Sequence, residues 1–453
     1  MTVSKLALLG GPPVVPPDQR PVEWPVITGS EQEAVLRVLR SGKFVSNADG
    51  ELEVQSLEAE WADFIGARYC VACSTGTAAL IVALAALGVG PGDEVIVPAL
   101  SFIASALAPL HQLAVPVFVD VDPRTFNIDP ALIEEKITPR TRAIMVVHLH
   151  GLPADMREIN ALAAKHGLHV VEDAAQSHGA KYDGRYTGTL GEIAAFSLHV
   201  QKNLPTCGEG GLITTGSREL YEKCDMLRQF GEVLKPGEER LYLSQALAGN
   251  HKLSAIQAAF TRSQLAAFPE YQAARDRNVP RFLAALAGLP GVLCPVVPLD
   301  RTHAWHILRL RFDPAAAGLD GVAAGPFRKA LRRALRAEGV PASQYQVVPL
   351  PGQHVFQTRE GFGRGYPWTI GGHEYRYRIE DYPNSMAVIE DSLTLQRRHL
   401  NPSSGPLLDL YAEALHKIWG NLDVIGRMAR ALPYEPPWRQ VQAGGGGGGA
   451  DGP

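Results

Sequence analysis

The order of apolar and polar positions divides the chain into regions of different texture. Between residues 70 and about 215, short β-branched runs alternate with stretches of helical spacing. The runs are "EVIVP" at 94, "PVFVDVD" at 116, "AIMVVHLHG" at 143, "HVVEDAA" at 169, "AAFSL" at 194 and "GLITTG" at 211, with helix-like segments such as "ADMREINALAAKHG" between them. Continuous apolar strands separated by helices predict an α/β fold with a mainly parallel sheet covered on both faces. In such a sheet a ligand sits at the carboxyl ends of the strands. Upstream, "SEQEAVLRVLRSG" predicts a helix opened by a Ser30–Glu33 capping box, with Val35, Leu36 and Leu39 as its apolar positions and Gly42 as its stop.

After about residue 270 the pattern changes. "YQAARDRNVPRFLAALAGLPGV" predicts a long helix interrupted near Pro280, "HAWHILRLRF" a strand, and "GPFRKALRRALRAEGV" a basic amphipathic helix with its charges on the wet face. Residues 352–382 mix glycines with aromatics, arginines and histidines without a period, as either a surface loop or a flap over a polar substrate would. The expected organisation is a proline-rich arm over 1–29, lying on the surface or on a partner subunit. A large domain over 30–270, a smaller α+β domain over 271–435 and a flexible glycine-rich tail over 436–453 follow it.

Composition narrows the function more than the fold. A formal charge of −4 over 453 residues leaves no basic stripe for a phosphate backbone, so nucleic acid is not expected as a partner. Apolar segments such as "AALIVALAALGVG" are too short to cross a bilayer, and the first residues lack a secretory pattern. The expectation is a cytoplasmic protein. Five scattered cysteines argue against a disulfide framework, and Cys70 and Cys73, although spaced CxxC, lack the second pair or histidine that zinc requires. No metal site is expected.

Three local signals carry chemistry. In "STGTAALIVALAALG" a small turn opens directly into an apolar helix, which either binds an anion on its free N–H groups or is a plain N-cap by Ser74 or Thr75. In "VVEDAAQSHGA" a strand ends in two carboxylates that alternation sends to opposite sides. Asp173 is then placed to meet a cationic ligand atom or to cap the next helix. In "AAFSLHVQKNLPTCGEGG" Lys202 reaches the carboxyl edge of the sheet, where partial desolvation would make its amine a nucleophile able to form a Schiff base. A phosphate site, an acid and a lysine in that order are what pyridoxal 5′-phosphate requires, since its ring nitrogen needs an acidic partner and its aldehyde needs a lysine.

The segments "STGTAAL", "GDEVIVPALSFIASA", "PVFVDVDPRTFNIDP", "HLHGLPADM", "EDAAQSHGA", "FSLHVQKNLPTCGEGG" and "GNHKLSAIQAA" resemble the DegT/DnrJ/EryC1/StrS family of sugar and aminocyclitol aminotransferases, a branch of the fold type I pyridoxal-phosphate enzymes. The resemblance runs from about residue 25 to 270, and more weakly to about 430. It implies that Lys202 forms the Schiff base with the cofactor and then carries the proton, and that Asp173 pairs with the pyridine nitrogen. It further implies that Phe102 stacks on the ring, Gln176 contacts the phenolic oxygen, and Gly76, Thr77, Ala78 and Ser197 face the phosphate. Asn250 matches an asparagine that reaches the phosphate of the neighbouring subunit, which implies a homodimer with shared active sites. No catalytic role is expected for His199 or Cys207, and a structural hydrogen bond is expected for His178.

The function so implied is transamination from L-glutamate or L-glutamine to a keto-sugar or keto-cyclitol. Two alternatives are a lyase of the aminohydroxybenzoate synthase type, which keeps the lysine, and a non-catalytic cofactor-binding subunit. Contacts to the ketone acceptor are not assigned, because residues 340–390 depart from the family's pattern. Tyr345, His354, Arg359, Arg376 and Arg378 are candidates there.

Overall fold

Each apolar run becomes a strand. The computed structural model describes residues 4–19, 23–46, 50–234, 239–372 and 374–442. Its strands are β1 (Tyr69–Cys73), β2 (Glu94–Pro98), β3 (Val115–Val119), β4 (Thr141–Val147), β5 (His169–Asp173), β6 (Lys181–Tyr182), β7 (Arg185–Tyr186), β8 (Ile193–Ser197), β9 (Gly211–Thr215), β10 (Val292–Leu293), β11 (Ile307–Phe312) and β12 (Ser392–Gln396). Seven of them form one sheet in the order β1-β9-β8-β5-β4-β2-β3. The neighbours from β8 to β3 are parallel, and β9 runs antiparallel to both β1 and β8.

Alternation along the strands builds two cores, one on each face. Val95, Val97, Ala143, Met145 and Val171 pack with the helices Gly76–Ala86 and Ala104–His111. Ile96, Ile144, Val146 and Val170 face the helix Met156–His166, and Ala194, Phe196 and Leu212 face the helices Glu53–Ile65 and Ala255–Leu286. Asp173 shares its face with Val171, whereas Glu172 points the other way, into His148 Nε2 at 2.9 Å and the amides of Gly188, Leu190 and Gly191.

A smaller antiparallel sheet, β10-β11-β12, carries its own core with the helices Ala324–Ala337 and Gly405–Trp419. Leu6 and Val15 are fully buried in that core, so this part of the arm is anchored rather than lying loose on a surface. No described helix is long and apolar enough to cross a membrane.

Four local expectations change. The helix Gly29–Ser41 is capped by Thr28 with Glu31, not by Ser30 with Glu33. Both pairs have the same spacing, but Glu31 is buried and also held by Ser263 and Gln264, whereas Glu33 is exposed and pairs with Arg40. The buried face is accordingly Glu31, Ala34 and Val38, and Leu36 and Leu39 are exposed. The long helix Ala255–Leu286 passes through Pro269 and Pro280 without a break, because Phe268, Val279 and Phe282 are buried on either side of the missing N–H groups.

The described residues of 352–382 line no part of the cavity, so of the two expectations the surface segment holds and the flap does not. Phe356 and Tyr377 pack edge-on against Phe118 of β3 with ring centroids 4.9 and 5.3 Å apart. The Tyr377 hydroxyl donates to the carbonyl of Pro116 at 2.9 Å, so the segment covers the edge of the large sheet. The expected tail opens with a short helix, Pro437–Gln442, and its residues 443–453 lie outside the described residues.

Candidate active site

A cavity of about 900 Å³ opens at the carboxyl ends of β4, β5 and β8. It gathers Gly76, Thr77, Phe102, Asp173, Gln176, Ser197 and Lys202 from the larger sheet and its helices, and Tyr345 and Arg397 from the chain around the smaller sheet.

One end is the turn between β1 and the helix Gly76–Ala86. Thr75 caps that helix, its hydroxyl accepting from the Ala78 amide at 2.9 Å, so the N-cap reading of this turn holds. The anion reading is compatible with it, because Gly76 and Thr77 line the cavity beside Ser197. Ala78 does not line the cavity; its amide is committed to the cap. The turn lies so close to β8 and β9 that a methyl group on Gly76 would come within 2.6 Å of Ser197 Cβ, and one on Gly211 would meet the Thr75 carbonyl. Glycine at both places lets the helix start reach the sheet.

The acid lies deeper. Asp173 is 5% exposed and accepts from the Ser105 hydroxyl at 2.6 Å and from the Ala175 amide at 3.2 Å. No regular helix follows it, so it is not a helix cap. Ser105, itself fully buried, also meets the Ser101 hydroxyl at 2.9 Å. The serine pair fixes the carboxylate and leaves it facing the cavity.

Lys202 sits in the turn after β8. Its amide donates to the His199 carbonyl at 2.7 Å, and its own carbonyl accepts from Trp24 Nε1 at 3.0 Å. Burial lowers the Lys202 amine to about 8, Arg397 pushes in the same direction and Asp173 opposes it. A lysine in that range is partly neutral near physiological pH and therefore nucleophilic.

Phe102 lines the cavity and is 55% exposed, so its ring is accessible to a ligand there. The Gln176 carbonyl oxygen accepts from the His150 amide at 2.7 Å, and Tyr345 hydrogen-bonds to the Gln176 side chain. Asn250 is not brought into this cavity; its side-chain oxygen accepts from Lys252 Nζ at 2.7 Å.

His178 is packed in the core, whereas His199 lines the cavity. His178 is wedged between Trp61 and Phe196, and burial with the nearby Lys202 charge lowers it to about 3. His199 faces Glu209 at 3.5 Å, and its Nδ1 accepts from the Gln201 amide at 3.2 Å. Cys70 and Cys73 are buried, and no group of residues able to hold a metal ion occurs among the described residues. Of the loop candidates, only Tyr345 lines the cavity.

Residues 25–368 match the model of the DegT/DnrJ/EryC1/StrS aminotransferase family. The chain belongs to that family. The DegT/DnrJ/EryC1/StrS relatives include the dTDP-3-amino-3,4,6-trideoxy-alpha-D-glucose transaminase of Streptomyces venezuelae, 40% identical over 317 residues that cover 70% of this chain and 78% of the relative. GDP-perosamine synthase of Caulobacter vibrioides is 42% identical over 291 residues, covering 64% and 76%. Among solved structures, S. venezuelae DesV superposes with a TM-score of 0.72 at 34% identity, covering 86% of this chain and 94% of DesV. The 3-amino-5-hydroxybenzoic acid synthase superposes with a TM-score of 0.77 at 31% identity, covering 90% and 100%. The α/β fold and the aminotransferase family expected from the motifs are thus correct.

Several residues of the site have little or no local signature. Ser105, which bonds Asp173 from behind the cavity wall, had a usable signal, since it lies one helical turn after Phe102 in "SFIAS". His306, Gln396, Arg397 and Arg398 had none, because they arrive from the smaller sheet through tertiary packing.

Proposed function

We propose that this chain binds pyridoxal 5′-phosphate at Lys202 and moves an amino group from L-glutamate or L-glutamine to a keto-sugar or keto-cyclitol. The observation that carries the reading is one cavity holding a partly buried lysine, a serine-bonded aspartate and the start of the helix Gly76–Ala86. That donor set fits the cofactor from end to end. Gly76, Thr77 and Ser197 would hold the phosphate, with Ala78 bracing the turn from behind. Asp173 would hold the ring nitrogen, Phe102 the ring face and Gln176 the phenolic oxygen. Bound there, the cofactor would supply an electron sink for the carbanion formed at the donor's α-carbon.

The chain's own part is to position and to move one proton. Lys202 would take a proton from the donor's α-carbon and pass it on within the first half of the cycle and, in the second half, would deliver a proton to the carbon of the former ketone. Ser105 keeps the Asp173 carboxylate aimed at the cavity, and Trp24 holds the turn that carries Lys202. The names of the relatives, which refer to dTDP-, UDP- and GDP-linked or derived sugars, support a sugar acceptor. A homodimer in which Asn250 serves the neighbouring site is part of the same reading. The exposed apolar side chains Phe230, Leu241, Tyr242, Leu243 and Leu247, close to Asn250 in sequence, support a second copy as the partner. So is the division into an arm (1–29), a cofactor domain (30–270) and a smaller domain (271–435).

Likeness to 3-amino-5-hydroxybenzoic acid synthase favours a second reading, a lyase on the same scaffold. The test is to add L-glutamine or L-glutamate to the cofactor-loaded protein and follow the cofactor's absorption. Conversion to the amine form, reversed by a keto-sugar, is expected of the aminotransferase. A spectrum that neither amino acid changes would refute it.

A further inference from the structure

The long helix Ala255–Leu286 carries a buried cation that no acid neutralises. Arg275 is 1% exposed, its Nε and Nη1 have no hydrogen-bond partner, and no described carboxylate pairs with it. The adjacent Asp276 accepts instead from Gln272 Nε2 at 2.9 Å. Burial lowers the Arg275 guanidinium to about 10, which leaves it charged at neutral pH. Arg301 and Arg309, also buried, have polar partners: Asp155 at 2.6 Å for the first, His150 and Ser392 for the second. What Arg275 meets is the indole of Trp24, with its guanidinium carbon 4.9 Å from the ring centroid.

Trp24 belongs to a strap. Tyr271, one turn before Arg275 on the same helix, packs edge-on against its ring with centroids 5.8 Å apart. The Glu23 carbonyl accepts from Asn401 Nδ2 at 3.1 Å and the Val26 carbonyl from Gln264 Nε2 at 2.9 Å, so residues 23–26 are tied both to the chain beyond β12 and to the long helix. From this strap the indole Nε1 donates to the Lys202 carbonyl at 3.0 Å. A side chain needed only to fill the space under the ring would be apolar, because an unpartnered guanidinium in a core is costly. Over an indole face the cation is attracted by the π density, most strongly when both are desolvated. It thereby fixes the tilt of the ring, and by drawing electron density from it makes the N–H a stronger donor towards the Lys202 carbonyl.

We propose that Arg275 is a positioning residue for Lys202 that acts through Trp24: stacked on the indole, it holds the ring with its N–H on the Lys202 carbonyl and so sets where the turn after β8 presents the lysine amine. The proposal rests on the reading of Lys202 as the cofactor's attachment point. It gives the arm a part in the chemistry, and through Asn401 it joins the lysine turn to the chain that follows the smaller sheet.

The test compares wild type with Arg275→Met, Arg275→Lys and Trp24→Phe, the last of which keeps a ring beneath the cation but has no N–H. The amides of Val200, Lys202 and Thr206 are hydrogen-bonded to His199, Gly208 and Leu198 around the lysine turn, so peptide 198–206 reports on it. In the cofactor-free proteins, its hydrogen exchange should quicken about 3- to 10-fold in Arg275→Met and in Trp24→Phe, the range for one hydrogen bond lost. With pyridoxal 5′-phosphate, the plateau rate of attachment should fall by a similar factor, while the pH at which it levels off stays in place because the amine keeps its own neighbours. Arg275→Lys should recover part of both, and adding Arg275→Met to Trp24→Phe should cost nothing further. Arg275→Met should leave the denaturant midpoint unchanged or raise it, since it removes an unpartnered buried charge. Exchange and attachment unchanged in Arg275→Met, faster exchange spread over every peptide, or losses that add in the double variant would overturn the proposal. If wild type takes up no cofactor, the attachment reading fails while exchange still decides: a turn loosened in Arg275→Met supports the positioning role, and an unchanged turn removes it.

Discussion

Gly76→Ala puts the geometry of the anion end to a quantitative test. A β-carbon at this position would lie 2.6 Å from Ser197 Cβ, 3.0 Å from its Cα and 3.2 Å from its Oγ. Ordinary carbon contacts are about 3.5–4.0 Å, so the start of the helix and β8 would have to separate by about 1 Å. Neither side gives easily, because the helix is buried in the core and Ser197 is paired to Gly211 in the sheet. Overpacking of this kind costs about 1–3 kcal/mol. The same shift draws the Gly76 and Thr77 amides away from the Ser197 hydroxyl, so a phosphate held by all three loses part of its coordination. We expect cofactor affinity, from absorption titration, to fall by at least about tenfold, one charge-assisted hydrogen bond's worth. Denaturant unfolding of the cofactor-free protein should show the lower stability. Gly29→Ala is the control: nothing lies within 4 Å of its added carbon, so it should be neutral or stabilising by up to about 1 kcal/mol. A Gly76→Ala protein as stable as wild type and equally avid for the cofactor would refute the reasoning.

Ser105→Ala removes the 2.6 Å hydrogen bond to Asp173, and cofactor affinity in the same titration should fall about tenfold or more, the scale of a hydrogen bond to a charged group. Ser101→Ala, which removes a partner of Ser105 only, should do less. With the Lys202 amine lowered to about 8, its neutral, nucleophilic fraction grows as pH rises towards that value. The rate of cofactor attachment in stopped-flow absorption should therefore rise about tenfold per pH unit below 8 and level off above it, whereas an ordinary lysine would keep gaining to about 10.4. Mixing inactive Lys202→Ala and inactive Asn250→Ala proteins under subunit exchange should restore about a quarter of wild-type activity. Half of the dimers are then mixed, and one of the two sites in each is intact. No restoration would place Asn250 outside the neighbouring site.

The large sheet was legible because its strands are continuous apolar runs punctuated by glycine and proline, and because alternation fixed the opposite directions of Glu172 and Asp173. The lysine, the acid and the glycine turn were legible as well, since each lies at the end of a strand whose position the pattern gives. What escaped depended on contacts distant in sequence. Thr28 and Ser30 offer the same capping chemistry, and only the burial of Glu31 against Ser263 and Gln264 decides between them. Pro280 reads as a helix break until Val279 and Phe282 are seen in the smaller core. The aromatics of residues 352–382 carry no period because they dock one by one on the edge of β3 rather than forming a face. Arg397 has no local signature at all; its place in the cavity comes from where β12 ends.

The proposed function stands or falls with the Lys202 amine as the attachment point of pyridoxal 5′-phosphate. Reduction of the loaded protein with borohydride, followed by peptide mass mapping, tests it most directly. One stoichiometric label is expected on the peptide containing Lys202 and none in Lys202→Ala, whereas a label on another lysine, or protein that takes up no cofactor, would contradict attachment there.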